Sequence, residues 1–384
     1  MLRLADFNTY YDADSAVRQY LDRKMEYMAN RKDVTFALIV PGKSSSLDVV
    51  GRARKYTIRG KRRPFDDHGR WILSPRELRR VLKAERPHLL EIGAPFVSPW
   101  LGHISAAGIE TKLVGFWYQN VPTTLAGSAT RFGRPLASIA EGLAWSWARA
   151  TFNSFHATLT TSSVTAETLR AHGIENVHET PAGVNVELFT PLRRQTDPER
   201  KLVGYVGGLS EEKGFGTLCR AFPLILASQP GVGLHIAGDG PLREAARDLE
   251  RQYSNVRYYG YISDPLEVAE LTADLDCAVV PGEVERFSMS AVEAFSCGVP
   301  VVAADPGGAR ELVRESEAGL LYQAGNETDL ARAVVEVLSW PDEKAQSVRA
   351  EGRDFVLRRH AWDRVFDHKI ALYRRIVGRL AAWE

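Results

Sequence analysis

Short apolar runs alternate with amphipathic stretches along most of the chain, and glycine or proline ends more than half of the runs. Val34–Val40 stops at Pro41-Gly42, and Ala278–Val280 stops at Pro281-Gly282. Similar runs cover Pro87–Ile92, Leu113–Trp117, Ala157–Thr161, Leu202–Val206, Gly233–Ala237, Val256–Tyr259 and Pro300–Ala304, and Leu2–Tyr10 is a short mixed run that can form a first strand. Runs this short and this continuously apolar predict strands buried on both faces. Between them lie helical patterns. Val17, Tyr20, Leu21, Lys24, Met25 and Met28 share one helical stripe, and Phe215, Leu218, Phe222 and Leu226 share another. Ser74-Pro75-Arg76-Glu77 is a helix start, with a capping hydroxyl, proline in the first turn and glutamate three residues on. Strand and helix in alternation predict an α/β protein with doubly wound parallel sheets.

The alternation pauses over the polar, proline-bearing stretch Glu187–Arg200 and then restarts. Two domains follow, 1–190 and 191–361. A final helix, 362–384, is expected to pack back on the first. Val365, Ile370, Tyr373 and Ile376 form its stripe. A chain of 384 residues is long enough for two full cores.

Composition changes this picture little. The chain is 45% hydrophobic and 25% charged with a net charge of +1, which favours neither nucleic acid nor a membrane span. Charge is uneven, however. Residues 1–190 hold 25 Lys+Arg against 18 Asp+Glu, and the remainder 24 against 30. A basic first half suggests an anionic partner, either an acidic acceptor or the surface of an anionic membrane. The basic stretch Gly51–Pro64 reads more simply as a solvated loop or hairpin. Cys219, Cys277 and Cys297 show no metal or disulfide spacing. Met1–Tyr20 lacks the apolar core of a signal peptide, so a cytoplasmic location is expected.

The chemistry concentrates in Val279–Glu311, which reads strand, loop, helix, strand, loop. Ser288 or Ser290 can cap the helix, and Gly298 with Pro300 ends it. Glu285 and Glu293 bracket the helix start. Free backbone N–H groups and partial positive charge there suit a phosphate, and carboxylates beside it suit sugar hydroxyls. A plainer alternative is a capping box in which Glu293 folds back on Ser290. In doubly wound sheets, ligands bind beyond the carboxyl ends of the strands.

Several motifs together resemble the family 4 glycosyltransferases. They are Val206-Gly207-x-Leu209-Ser210-x-Glu212-Lys213-Gly214, Gly238-Asp239-Gly240-Pro241-Leu242, Gly260-Tyr261, Glu285-x7-Glu293 and Gly307-Gly308-x-x-Glu311. Asn120-Val121-Pro122 and Pro181-x-Gly183-Val184-x-x-x-x-Phe189-x-Pro191 are similar to the branch that includes sulfoquinovosyl and mannosyl transferases. The resemblance implies the glycosyltransferase B fold: two Rossmann-like domains facing across a cleft, the second binding a nucleotide sugar. It implies a retaining, metal-independent enzyme that moves a hexose-type sugar to a lipid, glycan or small-molecule acceptor.

It also implies residue roles. Lys213 would hold the donor diphosphate and stabilise the leaving group during a front-face displacement. Glu293 would bind the ribose and Glu285 the transferred sugar. Backbone at Phe287, Ser288 and Met289 would meet sugar or phosphate, and Gly207, Gly208, Gly238, Gly240, Tyr261 and Ile262 would border the nucleotide. Three positions depart from the family pattern. Gly208 stands where arginine is usual, Tyr118 where histidine is frequent, and Ser15-Ala16 where many members have Gly-Gly. Arg18 is a candidate to replace the missing charge, and Asn120 a candidate acceptor contact. These departures leave a second reading open, a nucleotide-sugar-binding or assembly subunit without turnover. A sugar-nucleotide epimerase of similar architecture is a third.

Overall fold

The structure is a computed structural model of the chain and describes residues 1–11, 16–63, 66–93, 97–118, 122, 134–191, 201–283 and 287–378. It contains two compact units, Met1–Pro181 with Val365–Glu384, and Ala182–Arg364.

The first unit is built on strands β1 (Leu2–Phe7), β2 (Val34–Gly42), β3 (Ser46–Val50), β4 (Ala53–Arg59), β5 (Lys61–Arg63), β6 (Asp66–Trp71), β7 (Leu89–Ile92), β8 (Lys112–Phe116), β9 (Ala157–Thr160) and β10 (Val177–Glu179). Eight of these form one sheet in the order β10-β9-β8-β7-β1-β2-β4-β3, while β5 and β6 pair separately. All pairings in the large sheet are parallel except that of the edge strand β3 with β4. The basic stretch Gly51–Pro64 therefore contributes a sheet strand and half of a small hairpin. Helix Pro75–Glu85 begins as its sequence indicates, with the Ser74 hydroxyl accepting from the Glu77 N–H and proline in the first turn.

The last described helix, Trp362–Gly378, turns Lys369 and Tyr373 inward along with its aliphatic residues. They meet Lys24, Asp6 and Glu91, all five side chains being nearly inaccessible to solvent. Two ammonium groups thus face two carboxylates inside the first unit. Their hydrogen bonds meet the requirement that buried charge be paired.

The second unit carries β11 (Leu202–Val206), β12 (Gly233–Ala237), β13 (Val256–Gly260), β14 (Cys277–Val280), β15 (Val301–Asp305) and β16 (Gly319–Gln323), all parallel, in the order β13-β12-β11-β14-β15-β16. Helices Phe215–Ser228 and Glu327–Leu338 share one apolar core with the sheet. The helix Met289–Ser296 shares a second core with Phe355 and Val356. Residues 182–190, which the sequence assigns to the first domain, belong to this unit. Val184 pairs with Ala361, and Val184 and Phe189 are buried in the second unit's core. Their apolar side chains, more than the polar residues after them, decide the boundary. Among the described residues no helix is long and apolar enough to cross a membrane.

Candidate functional site

At the carboxyl end of β11 the chain passes through Gly207-Gly208 and turns at Ser210, whose hydroxyl accepts from the Lys213 N–H at 3.3 Å. Gly214 follows in the left-handed region at φ +69°. A β-carbon there would collide with the Pro281 carbonyl oxygen. This close approach sets Lys213 beside the loop that follows β14. Tyr205 holds the same turn from below, donating to the Gly208 carbonyl at 2.6 Å.

The result is a cavity of about 260 Å³, bordered by Gly207, Lys213, Pro281, Met289, Ser290 and Glu293 among others. The sequence marks four of these as site residues, Gly207, Lys213, Met289 and Glu293, and the fold brings them together from two separate segments. Ser288 is the cap of the helix Met289–Ser296, its hydroxyl accepting from Ala291 at 3.4 Å. Glu293 therefore lies beyond capping-box reach of the helix start. Its carboxylate has no hydrogen-bonding or ionic partner among the described residues, and burial pushes it up to about 7. An unpaired, half-buried carboxyl group on a cavity wall is suited to a ligand donor such as a sugar hydroxyl.

The helix end that faces the cavity is that of Met289 and Ser290. The start of the helix Phe215–Ser228 is approached instead by the Glu211 carboxylate, which lies against Gly216. Cation, helix start and carboxylate thus meet at one hollow, an arrangement that fits a diphosphate with a polyhydroxylated group attached.

The remaining glycine loops form a shelf beside the cavity. The Gly207 N–H donates to Ala237, Gly238 to Gly260, and Leu209 to Asp239, so the loops after β11, β12 and β13 are joined by backbone hydrogen bonds. At φ +140°, Gly238 packs against the Gly207 carbonyl with no room for a β-carbon. Gly240 lies against Leu209, Tyr261 is exposed, and Ile262 is half-buried. Gly208, these four residues, Phe287 and Ser288 do not border the cavity itself. The Phe287 ring tilts toward His360 in the core. Tyr205 is a border residue that the sequence reading omitted. A tyrosine two residues before a glycine turn, in an otherwise aliphatic strand, is the signal that marks it.

The first unit's candidates are engaged locally. The Tyr118 ring stacks on Phe116 at 4.1 Å between centroids, and its buried hydroxyl lies beside Asn8 without a well-formed hydrogen bond. Burial holds that phenol well above its ordinary value. Arg18 pairs with Asp22 at 3.4 Å and lies over the Tyr11 ring. Ala16 opens the first helix. Ser15, Asn120 and Glu285 lie outside the described residues.

Two parallel-sheet α/β units, the second with a cation and a carboxylate at its strand ends, define the glycosyltransferase B fold. Comparison with known proteins agrees. Residues 17–188 match the family described as Glycosyltransferase Family 4, and residues 191–355 match Glycosyl transferases group 1. A GDP-mannose-dependent alpha-mannosyltransferase of Mycobacterium tuberculosis (strain CDC 1551 / Oshkosh) is 32% identical over 310 residues, 78% of this chain and 76% of that protein. A GDP-mannose-dependent alpha-(1-6)-phosphatidylinositol dimannoside mannosyltransferase of M. tuberculosis (strain ATCC 25177 / H37Ra) is 28% identical, covering 87% of each. The solved sucrose-phosphate synthase of Thermosynechococcus elongatus shares the fold with a TM-score of 0.74 at 21% identity, over 99% of this chain and 100% of that one. The chain belongs to the family 4 glycosyltransferases and is a nucleotide-sugar glycosyltransferase.

Proposed function

We propose that the protein is a retaining, metal-independent hexosyltransferase whose donor is a GDP-sugar, GDP-mannose first among them, and whose acceptor is a lipid-linked or glycan hydroxyl. The observation that carries this reading is the hollow shared by Lys213 and Glu293. Lys213 neutralises the charge that develops on the departing diphosphate, and the N–H groups at Met289 and Ser290 share that load. Glu293 accepts from the ribose hydroxyls, and ionised carboxylates form the stronger hydrogen bonds of this kind. Glu285 contacts the transferred sugar, as its place in the family motif implies. The acceptor attacks from the face the leaving group vacates, which retains the anomeric configuration. The donor assignment draws on the mannosyltransferase relatives, and the acceptor class on the dimannoside enzyme and the basic first half. The protein works at the cytoplasmic side of a membrane.

The test is donor titration by calorimetry with GDP-mannose, UDP-glucose and ADP-glucose, followed by slow hydrolysis of the bound donor with and without EDTA. GDP-mannose binding that Lys213→Ala abolishes, with hydrolysis insensitive to EDTA and release of α-mannose, supports the reading. Binding without hydrolysis or transfer supports a non-catalytic subunit. Inversion of the product or loss of turnover in EDTA overturns the mechanism.

A further inference from the structure

The second unit holds another hollow, of about 550 Å³, bordered by Lys201, Asp276, Gly298, Gln346, Arg349 and Arg353 among others. Lys201, Asp276 and Gly298 come just before β11, β14 and β15. This hollow therefore lies at the amino ends of the same strands whose carboxyl ends lead to Lys213 and Pro281. The helix Met289–Ser296 runs between the two. Met289, Ser290 and Glu293 border the first hollow, and Cys297 and Gly298, just past the helix, border the second. They are separate sites in one unit.

Three basic side chains meet at the second hollow. One face of the helix Asp342–Arg359 supplies Gln346, Arg349 and Arg353 at i, i+3 and i+7. Arg349 is answered there. It pairs with one oxygen of Asp276 at 3.4 Å, while the other oxygen accepts from the Leu202 N–H at 2.7 Å. Arg353 is not. Its Nη1 and Nη2 donate to the Val186 and Phe189 carbonyls and to Ser296, all neutral oxygens. Its Nε makes no such bond, and it pairs with no carboxylate among the described residues. Burial holds that guanidinium below its ordinary value. Lys201 is half-buried, and its ammonium group has neither hydrogen bond nor ion pair among the described residues.

Anchoring the backbone accounts for the place of Arg353 but leaves its charge unanswered, and the Lys201 side chain anchors nothing. Partly buried cations are costly without an anion, so the hollow is poised to take one. Asp342, the remaining carboxylate at its border, is exposed. Ala273, Ala345 and Ala350 make the rest of the wall small and neutral. The volume is in the range of small-molecule sites.

We propose that this hollow is a second ligand site, one that binds a small phosphate monoester, with the phosphate between Lys201 and Arg353 and a compact hydroxylated body against Gln346 and the alanines. An ammonium group and a guanidinium arriving from different segments suit a phosphate, which offers each of them its own oxygen. The site stands independently of the donor assignment.

The test is calorimetry on the full chain in phosphate-free buffer, titrated with inorganic phosphate, glycerol 3-phosphate and mannose 6-phosphate, with glycerol and mannose as uncharged controls. The esters are expected to bind more tightly than inorganic phosphate, and the controls not at all. Lys201→Ala weakens the esters roughly ten-fold or more, the worth of one charge-assisted hydrogen bond, and Lys201→Glu weakens them further. Gln346→Glu, at an exposed position, sets a carboxylate on the wall and also weakens them. Lys213→Ala, which removes the cation of the donor hollow, leaves ester binding intact. Lys201→Glu leaves GDP affinity unchanged, which separates lost binding from lost folding. Wild-type protein that binds no ester, ester affinity unaltered in Lys201→Glu, esters no tighter than inorganic phosphate, or ester binding lost in Lys213→Ala would each overturn the proposal.

Discussion

Asp6 and Glu91 are direct neighbours on β1 and β7, and the single ammonium group of Lys24 reaches both carboxylates, at 2.7 Å and 3.4 Å. Lys369, at 3.2 Å from Glu91, and the Tyr373 hydroxyl complete the cluster. The two acids respond differently. Burial raises both, but the two lysines outweigh it at Glu91 and hold that carboxyl near 2, whereas Asp6, with one close lysine, is pushed up to about 6.

Lys369→Met leaves one buried carboxylate uncompensated and is expected to destabilise the first unit by about 3–5 kcal/mol. Glu91→Gln/Lys369→Met, which restores charge balance, recovers most of that loss. Hydrogen exchange of the β1 and β7 amides reads the first unit separately from the second. Equal protection in the single and double variants would refute the account.

His360 gives the second unit an acid-sensitive point. It is buried, Nδ1 bonds the Ala182 carbonyl at 2.8 Å, and Nε2 has no hydrogen-bond partner among the described residues. Burial pulls the imidazole down to about 4. Its neutral form is therefore the stable one in the folded state. Stability is fully present above the ordinary value of 6.5 and falls as pH drops toward 4, by about 3 kcal/mol in all. His360→Gln should flatten that part of the pH profile in urea titrations between pH 7 and pH 4.

Glu293 works in the opposite sense. Its folded-state value of about 7 lies above the ordinary 4.5, so it costs the empty protein stability progressively as pH rises from 4.5 through 7. Glu293→Gln is expected to raise the melting temperature at pH 8 and leave it nearly unchanged at pH 4. The same change weakens donor binding by roughly 10- to 150-fold, the value of about 1.5–3 kcal/mol for a charge-assisted hydrogen bond. Wild-type affinity should rise between pH 6 and pH 8, and calorimetry on the variant should show no such rise.

Gly208 occupies the place where the family usually carries arginine. A β-carbon there would meet only the Lys213 side chain, at 3.9 Å. Gly208→Arg therefore fits and adds a second cation beside the diphosphate position. Tighter GDP binding by about ten-fold or more is expected. Unchanged affinity would place the diphosphate elsewhere.

Much of this was legible from residue order because the signals are local. Ser74-Pro75 fixes a helix start within one turn, and strands buried on both faces announce themselves as unbroken aliphatic runs. Lys213 and Glu293 were named from motifs whose glycines serve close backbone approaches. Other features were not local. Helix Val97–Ala106 lacks the charged outer side that makes a helical stripe visible. The choice between Ser288 and Ser290 as cap depended on geometry rather than residue type. Lys24 stood in an apolar stripe, and Asp6 and Glu91 stood in apolar strands. Such anomalies accompany buried pairing, but the partners lie up to 349 residues apart, so no short window joins them and the sequence reading left them unremarked.

Because Lys369 and Tyr373 belong to the first unit, that unit is not a contiguous stretch of chain. During synthesis, Asp6, Lys24 and Glu91 leave the ribosome hundreds of residues before Lys369, the second ammonium group that completes their charge balance. The domain made first must be the one finished last. An excised fragment ending at Pro181 would carry the same unmet charge.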